Sequence, residues 1–141
     1  MLGLVLAAYE HAADAVAFSR DVDSDPDRED AIDMALAWIR TESGWWIEVV
    51  GGVAKPAIEG WILALRGVPR TDAMSRKRVA EHLAEQRIDV KSTDRYVEVA
   101  EQAEHGEAPH FGLPSGTESL HAWLATAHEV LDRLVQGQRA P

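Results

Sequence analysis

The sequence predicts an all-α fold: a compact bundle of about six helices, built as one helical domain over residues 1–137 with a short tail at 138–141. Three observations predict it. Apolar side chains recur every three or four residues through most of the chain, the spacing that lines one face of a helix. Glycine and proline mostly fall between those runs. No segment shows a convincing two-residue alternation.

The first helix is expected from about Leu2 to Ser19, because Leu2, Val5, Leu6, Tyr9, Ala12, Ala13 and Val16 share a face. Asp25 can cap the second helix, Pro26 suits its first position, and Asp27 and Glu29 oppose the positive end of the dipole. Its stripe is Ile32, Ala35, Leu36 and Ile39, with Met34 and Trp38 widening it, and Thr41 to Gly44 ends it. A third helix carries Trp45, Trp46, Val49, Val50 and Val53. It breaks at Gly51-Gly52 and restarts at Pro56, with Ile58, Trp61, Ile62 and Leu65 before a stop at Gly67-Val68-Pro69. Thr71 caps the fourth helix, which holds Val79 and Leu83 and runs to Gln86. Ser92 or Thr93 caps a fifth, with Tyr96, Val97, Val99, Ala100 and Ala103. After a loop from Gly106 to Gly116, Ser115 and Glu118 form a capping box for the last helix. Leu120, Leu124, Ala127, Leu131 and Leu134 make its seam, with Trp123, Val130 and Val135 alongside.

The 141 residues contain no cysteine, which excludes a disulfide scaffold, thiol catalysis and cysteine-ligated metal. The net charge of −10 disfavours generic attraction to phosphate backbones or anionic membranes. Between Arg66 and Arg95 the balance reverses, with eight basic against five acidic side chains, so the remainder carries −13. The apolar N-terminus lacks a basic leader and soon meets Glu10 and Asp14. The greasy stretch from Trp45 to Val68 holds Glu48, Lys55, Glu59 and Arg66, and charges at such depth oppose insertion in lipid. A soluble, cytoplasmic chain is therefore expected, with no membrane contact.

Asp21, Asp23, Asp25 and Asp27 alternate as in a calcium loop, but Pro26 takes the position that needs glycine and Ile32 the position that needs a bidentate glutamate. Glu107/His110 and Glu118/His121 have the Glu-x-x-His spacing. On the last helix His121, His128 and Asp132 fall on one side, flanking the apolar stripe, and are the candidate metal ligands. No metal or other cofactor is expected. Nucleophile elbows, phosphate-cradling glycine loops and dinucleotide fingerprints are absent.

Arg76-x5-His82 resembles the motif of the HEPN-type ribonucleases, small all-α proteins that usually act as dimers. The resemblance covers the motif and the helical class, and implies metal-independent RNA cleavage, with Arg76 holding the scissile phosphate and His82 moving a proton. Residues 78–103 resemble a helix-turn-helix that would place Lys91, Ser92, Thr93 and Arg95 in the major groove, although Glu98, Glu101 and Glu104 would repel phosphate. Outside these two alternatives no nucleic-acid partner is expected.

The leading expectation is a small acidic protein that acts by protein–protein contact, of the immunity, inhibitor, antitoxin or adaptor kind found in bacteria and phages. Its partner surface would be Asp21, Asp23, Asp25, Asp27 and Asp30, meeting a basic protein, with Trp45 and Trp46 as apolar anchors. The adjacent tryptophans and the leucine seam are also compatible with a homodimer.

Overall fold

The computed structural model describes residues 2–22, 25, 27–42, 44–89, 94, 97, 98, 101 and 112–137. In chain order the elements are α1 (Leu2–Glu10), β1 (Ala15–Asp21), α2 (Arg28–Thr41), β2 (Glu48–Ala54), α3 (Ile58–Leu65), a 3-10 turn (Thr71–Ala73), α4 (Arg76–Glu85) and α5 (Glu118–Val135). Asp94, Val97, Glu98 and Glu101 are also helical. The tail at 138–141 lies outside the described residues.

The fold is mixed α/β, which corrects the expectation of an all-α six-helix bundle. Strands β1 and β2 pair in parallel, as a two-stranded sheet. Parallel strands cannot be joined by a tight turn, so a crossover is needed, and α2 is that crossover. The first expected helix stops at Glu10. There the Ala13 N–H reaches back to the Ala8 carbonyl and Ala12 adopts φ 54°, a Schellman closure made without glycine. Val16 and Phe18 then alternate along a strand instead of extending a helical face. The expected third helix fails for a clearer reason. Three valines and two glycines in the seven residues of β2 are poor helix formers, and the segment is largely buried, as a parallel strand covered on both faces should be.

The chain divides into two compact units that alternate along the sequence: residues 1–19, 24–53 and 122–141, and residues 20–23 and 54–121. In the first unit, a Cβ on Gly51 would strike the Phe18 ring and meet Leu36 of α2 at 3.1 Å. A Cβ on Gly52, facing the other way, would meet Trp123 of α5 at 3.4 Å. Thus α2 covers one side of the strand pair and Trp123 the other, and the Trp123 indole N–H donates to the Phe18 carbonyl (2.9 Å). Ile32, Leu36, Ile39, Ile47, Val49, Val50, Val53 and Val130 are buried. Among them lies one charge. Glu48 is 5 % exposed and accepts two hydrogen bonds from Arg133, from Nε at 2.9 Å and Nη2 at 2.8 Å. These bonds hold the Glu48 carboxyl below the ordinary carboxylate range, outweighing burial, which opposes them. Arg133 is pushed up by the same bonds.

In the second unit, α3 and α4 pack through Ile62, Leu63, Val79 and Leu83, with Ile88 closing the end of α4. The Ile88 N–H bonds the Leu83 carbonyl, and Arg87 takes φ 58°. Helix α4 begins later than expected, at Arg76, because Ser75 caps it by accepting from the Arg78 N–H at 3.2 Å. A clamp joins 70–72 to 115–119. Backbone N–H groups of Arg70 and Asp72 donate to the carbonyls of Ser115 and Gly116, and the Asp72 carboxylate accepts from Ser119 N–H (2.7 Å) and Oγ (2.8 Å). Asp72 thereby caps α5, and the expected Ser115–Glu118 box reduces to Glu118 accepting from the Gly116 N–H.

Gly116 has φ 77°, and a Cβ there would lie 2.6 Å from the Arg70 Cα. Gly116→Ala should cost about 2–3 kcal/mol in denaturant unfolding. Gly44→Ala (φ 67°, open space around it) should cost only about 1 kcal/mol. Equal costs would deny the clamp its role.

Glu48, with its pKa lowered in the fold, stabilises fully above its ordinary value of 4.5 and loses that contribution as pH falls through the lowered value. Arg133→Met should cost about 3 kcal/mol at neutral pH by stranding the buried carboxylate. The stability gap between this variant and wild type should narrow as Glu48 protonates; a gap independent of pH would contradict the pair's role.

Candidate functional site

Helix α2 sets the geometry of one candidate face in the first unit. Ile32, Leu36 and Ile39 turn inward. Met34 and Trp38 each stand two residues from Leu36, about 200° around the helix. They do not widen the core stripe but face outward, 70 % and 42 % exposed. Asp27 and Asp30 are exposed on the same outward side, two turns and one turn before Met34 respectively. The stripe therefore runs from carboxylates at the N-terminal end of α2 to apolar side chains nearer its C-terminal end.

Trp38 leads into an aromatic cluster. Its ring meets Trp45 edge-on (centroids 6.0 Å apart, 85° between planes), Trp45 stacks on Tyr9 of α1 (6.1 Å, 29°), and Tyr9 touches Trp46 (5.6 Å, 48°). Such pairs are attractive beyond the area they bury. Trp45 and Trp46 lie in the segment preceding β2 and not on a helix, which is how both neighbours meet one tyrosine. Tyr9 itself remains 36 % exposed and Leu6, one turn earlier, 44 %.

The acidic residues expected to act together are divided. Asp25 accepts from the Asp27 N–H through Oδ1 and pairs with Arg28 through Oδ2 (3.6 Å), so it closes the turn before α2. That turn puts the helix start at Arg28 with Asp27 as its cap residue, later than the expected Asp25 cap. Asp23 lies outside the described residues. Asp21 belongs to the second unit, where Oδ1 accepts from Ile58 N–H at the start of α3 (2.9 Å) and Oδ2 pairs with Arg76 Nη2 (3.3 Å).

Arg76 and a cavity of about 190 Å³ define a second candidate site, lined by Pro56, Ala57, Glu59, Arg76, Val79, Ala80 and Leu83. His82 does not line it. His82 lies six residues along α4, about 240° around and ~9 Å further on, with Nδ1 3.1 Å from Glu85 Oε2. The structure thus gives Arg76 and His82 separate partners, Asp21 and Glu85. Of the helix-turn-helix reading, α4 and the helical Val97 and Glu98 are described, whereas Lys91, Ser92, Thr93 and Arg95 are outside the described residues. The same holds for Glu107 and His110. His121, His128 and Asp132 are exposed on α5, His121 and His128 are ~10 Å apart along its axis, and no group of three metal-ligating side chains occurs among the described residues. Nor, among those residues, is any helix long and apolar enough to cross a membrane.

Fold and sites together define a mixed α/β protein that carries an exposed aromatic–acidic face and a small two-charge cavity. No protein-family model, curated protein or solved structure matches the chain.

Sequence reasoning missed Met34, Trp38 and Tyr9 as surface residues. The signal available was that Met34 and Trp38 lie opposite Leu36, a second apolar stripe on what should be a polar face. It missed Asp21 as a long-range cap because nothing local ties residue 21 to residue 58.

Asp21→Ala should cost about 1–2 kcal/mol by uncapping α3 and releasing Arg76. Asp21→Asn keeps an acceptor for the Ile58 N–H and should recover at least half of that loss in urea titrations. Identical losses would mean that the ion pair with Arg76, and not the cap, stabilises the fold.

Proposed function

We propose that this protein acts by protein–protein contact, as an acidic α/β inhibitor or adaptor that docks a basic protein on the outward stripe of α2. The observation that carries this reading is the alignment of Asp27 and Asp30 with the exposed Met34 and Trp38 on one helix face, continuous with the Tyr9–Trp45 stack. Large exposed apolar side chains on a small domain cost solubility and mark contact surfaces when they adjoin one another. A tryptophan and a methionine that become buried on docking can each supply about 1.5–3 kcal/mol, and tryptophan is enriched among the residues that dominate interfaces. The carboxylates would speed encounter with a cationic surface and set orientation, and the net charge of −10 acts in the same sense. Asp21 is not part of this surface, since both its oxygens serve the second unit.

The test uses two surface variants and a partner recovered by affinity capture with the wild-type protein. Met34→Asp/Trp38→Asp should weaken the measured Kd about 100-fold at any ionic strength, the loss of two apolar anchors. Asp27→Lys/Asp30→Lys should weaken it about tenfold in dilute buffer and much less in 0.5 M salt, where such charges are screened. Circular dichroism should stay close to wild type, with a modest fall in thermal midpoint, since Trp38 loses its contact with Trp45 and lysines at the start of α2 oppose the helix dipole. A partner that binds both variants as tightly as wild type would remove this face from the function.

A further inference from the structure

Among the described residues, strand β1 (Ala15–Asp21) has β2 as its one sheet neighbour, so its other edge is open. The bond from the Glu48 N–H to the Asp14 carbonyl (3.0 Å) begins the ladder, and the bond from the Val22 N–H to the Ala54 carbonyl (3.2 Å) ends it. Both fit a single unbroken parallel register, without a bulge, in which the main chain of residues 14, 16, 18, 20 and 22 faces β2. The N–H and C=O groups of Ala15, Ala17 and Ser19 therefore point the other way. Among the described residues no backbone bond outside the ladder reaches these three, and Ala17, in the middle of the row, is exposed. Sheet edges are commonly blunted by proline, lysine, a bulge or a very short strand. The seven residues of β1 include neither proline nor lysine. An open edge of this kind accepts a further strand, which satisfies its backbone groups directly.

The side chains along β1 identify the strand that fits. A second copy of β1, laid antiparallel about a two-fold axis at Ala17, pairs Ala17 with the partner's Ala17 and Ala15 with the partner's Ser19, each pair exchanging both of its bonds. Between them fall the closer, non-hydrogen-bonded pairs: Val16 opposite the partner's Phe18, and Asp14 opposite the partner's Arg20. The two-fold axis makes each of these pairs occur twice. A β-branched side chain against an aromatic ring and a carboxylate against a guanidinium are both favourable across strands. Asp14 and Arg20 are exposed. Asp14 has a further interaction within its own chain, which the pairing need not displace, because a carboxylate offers about four acceptor positions. An axis at Ser19 would set Arg20 against the partner's Phe18, and one at Ala15 would set Asp14 against the partner's Val16. Neither of those registers joins opposite charges.

We propose that β1 pairs antiparallel with β1 of a second copy of this chain, centred on Ala17, to make a four-stranded sheet in the order β2–β1–β1–β2. The net charge of −10 on each chain opposes the meeting of two copies. The dimer is therefore weak, and it forms at physiological salt, where a Debye length of about 8 Å confines that repulsion. The inference does not depend on the docking face of α2.

The test is sedimentation of the full chain over a concentration series in about 0.15 M salt, where a monomer–dimer equilibrium with a Kd of about 10–100 µM is expected. Ala17→Pro removes an outward N–H and leaves the ladder to β2 intact; it and Arg20→Asp should each weaken the dimer about tenfold or more. Asp14→Arg should weaken it likewise. Mixing Arg20→Asp with Asp14→Arg should restore association to within about threefold of wild type, because both ion pairs re-form across the mixed dimer. The chain has no cysteine, so single cysteines report the register without altering either charge. Ala17→Cys should give a disulfide-linked dimer in a glutathione buffer, since directly opposed Cα atoms lie ~5.5 Å apart. Ala15→Cys and Ser19→Cys should cross-link when mixed and not when alone. A single monomeric species up to about 1 mM would overturn the proposal. So would cross-linking of Ala15→Cys alone as readily as Ala17→Cys, or a dimer that Ala17→Pro and Arg20→Asp leave unweakened.

Discussion

The parallel pairing of β1 with β2 is the constraint from which the rest of the architecture follows. A parallel pair needs a crossover, and the 26 residues between Asp21 and Glu48 supply one in α2. Once α2 is laid over the strands, close approach at Gly51 decides which way it faces. The Phe18 ring takes the space of the missing side chain, and Leu36 fits beside it. That fixes Ile32, Leu36 and Ile39 inward, and the 100° step of the helix then leaves Met34 and Trp38 in solvent. The exposed stripe is thus a geometric consequence of how the core closes on β2. What the fold does not require is that those outward positions be apolar.

Carboxylates do much of the long-range work. Asp21 reaches across 37 residues to the start of α3, Asp72 across 47 to the start of α5, and Glu48 across 85 to Arg133. In two of the three, the acid satisfies N–H groups that a helix N-terminus leaves without intrahelical partners, where a negative charge also meets the favourable end of the dipole. The third places a carboxylate inside the first unit, where the hydrogen-bonded Arg133 guanidinium, aided by the charge of Arg40, more than offsets the rise in pKa that burial causes. An acidic composition is therefore partly structural here, and counting acidic residues overstates how many are available to a partner. Asp25 makes the same point at short range: it closes the turn that starts α2.

Several helices were legible because their signals are local. The inward stripe of α2, the glycine stop after α3 at Gly67 and the heptad-like pattern of α5 all lie within one or two turns of the residues they organise. Even there the phase slipped: on α5 Val130 is buried while Leu131, chosen for the seam, is 56 % exposed. The strands were illegible for identifiable reasons. The stop after α1 uses Ala12 at φ 54°, a residue that gives no warning of a left-handed turn. Strand β2 is apolar on both faces, so it shows no alternation and its valines fit a buried helix or a buried strand equally by position. Its composition was the usable clue, since valine and glycine both disfavour helix. The sites were harder still. Arg76 could be singled out from its neighbours, but its partner Asp21 and the cavity between α3 and α4 exist only after the chain has folded.

The placement of apolar side chains on α2 distinguishes fold from function more sharply than charge does. A helix that only covers a strand pair needs one apolar face, and alanine, glutamate or lysine would fill its outward positions with better helix propensity and better solubility. This helix instead spends Met34 and Trp38 there, 70 % and 42 % exposed, and sets Trp38 against Trp45, which in turn stacks on Tyr9. The ring contacts restrict Trp38, so docking would immobilise less side-chain freedom than an isolated tryptophan must lose. Carboxylates at the N-terminal end of the same stripe oppose association with other acidic copies while leaving a cationic surface attractive. On the proposed reading, an apolar patch that is partly rigid and flanked by one sign of charge would combine affinity with discrimination, and neither property contributes to burying β2.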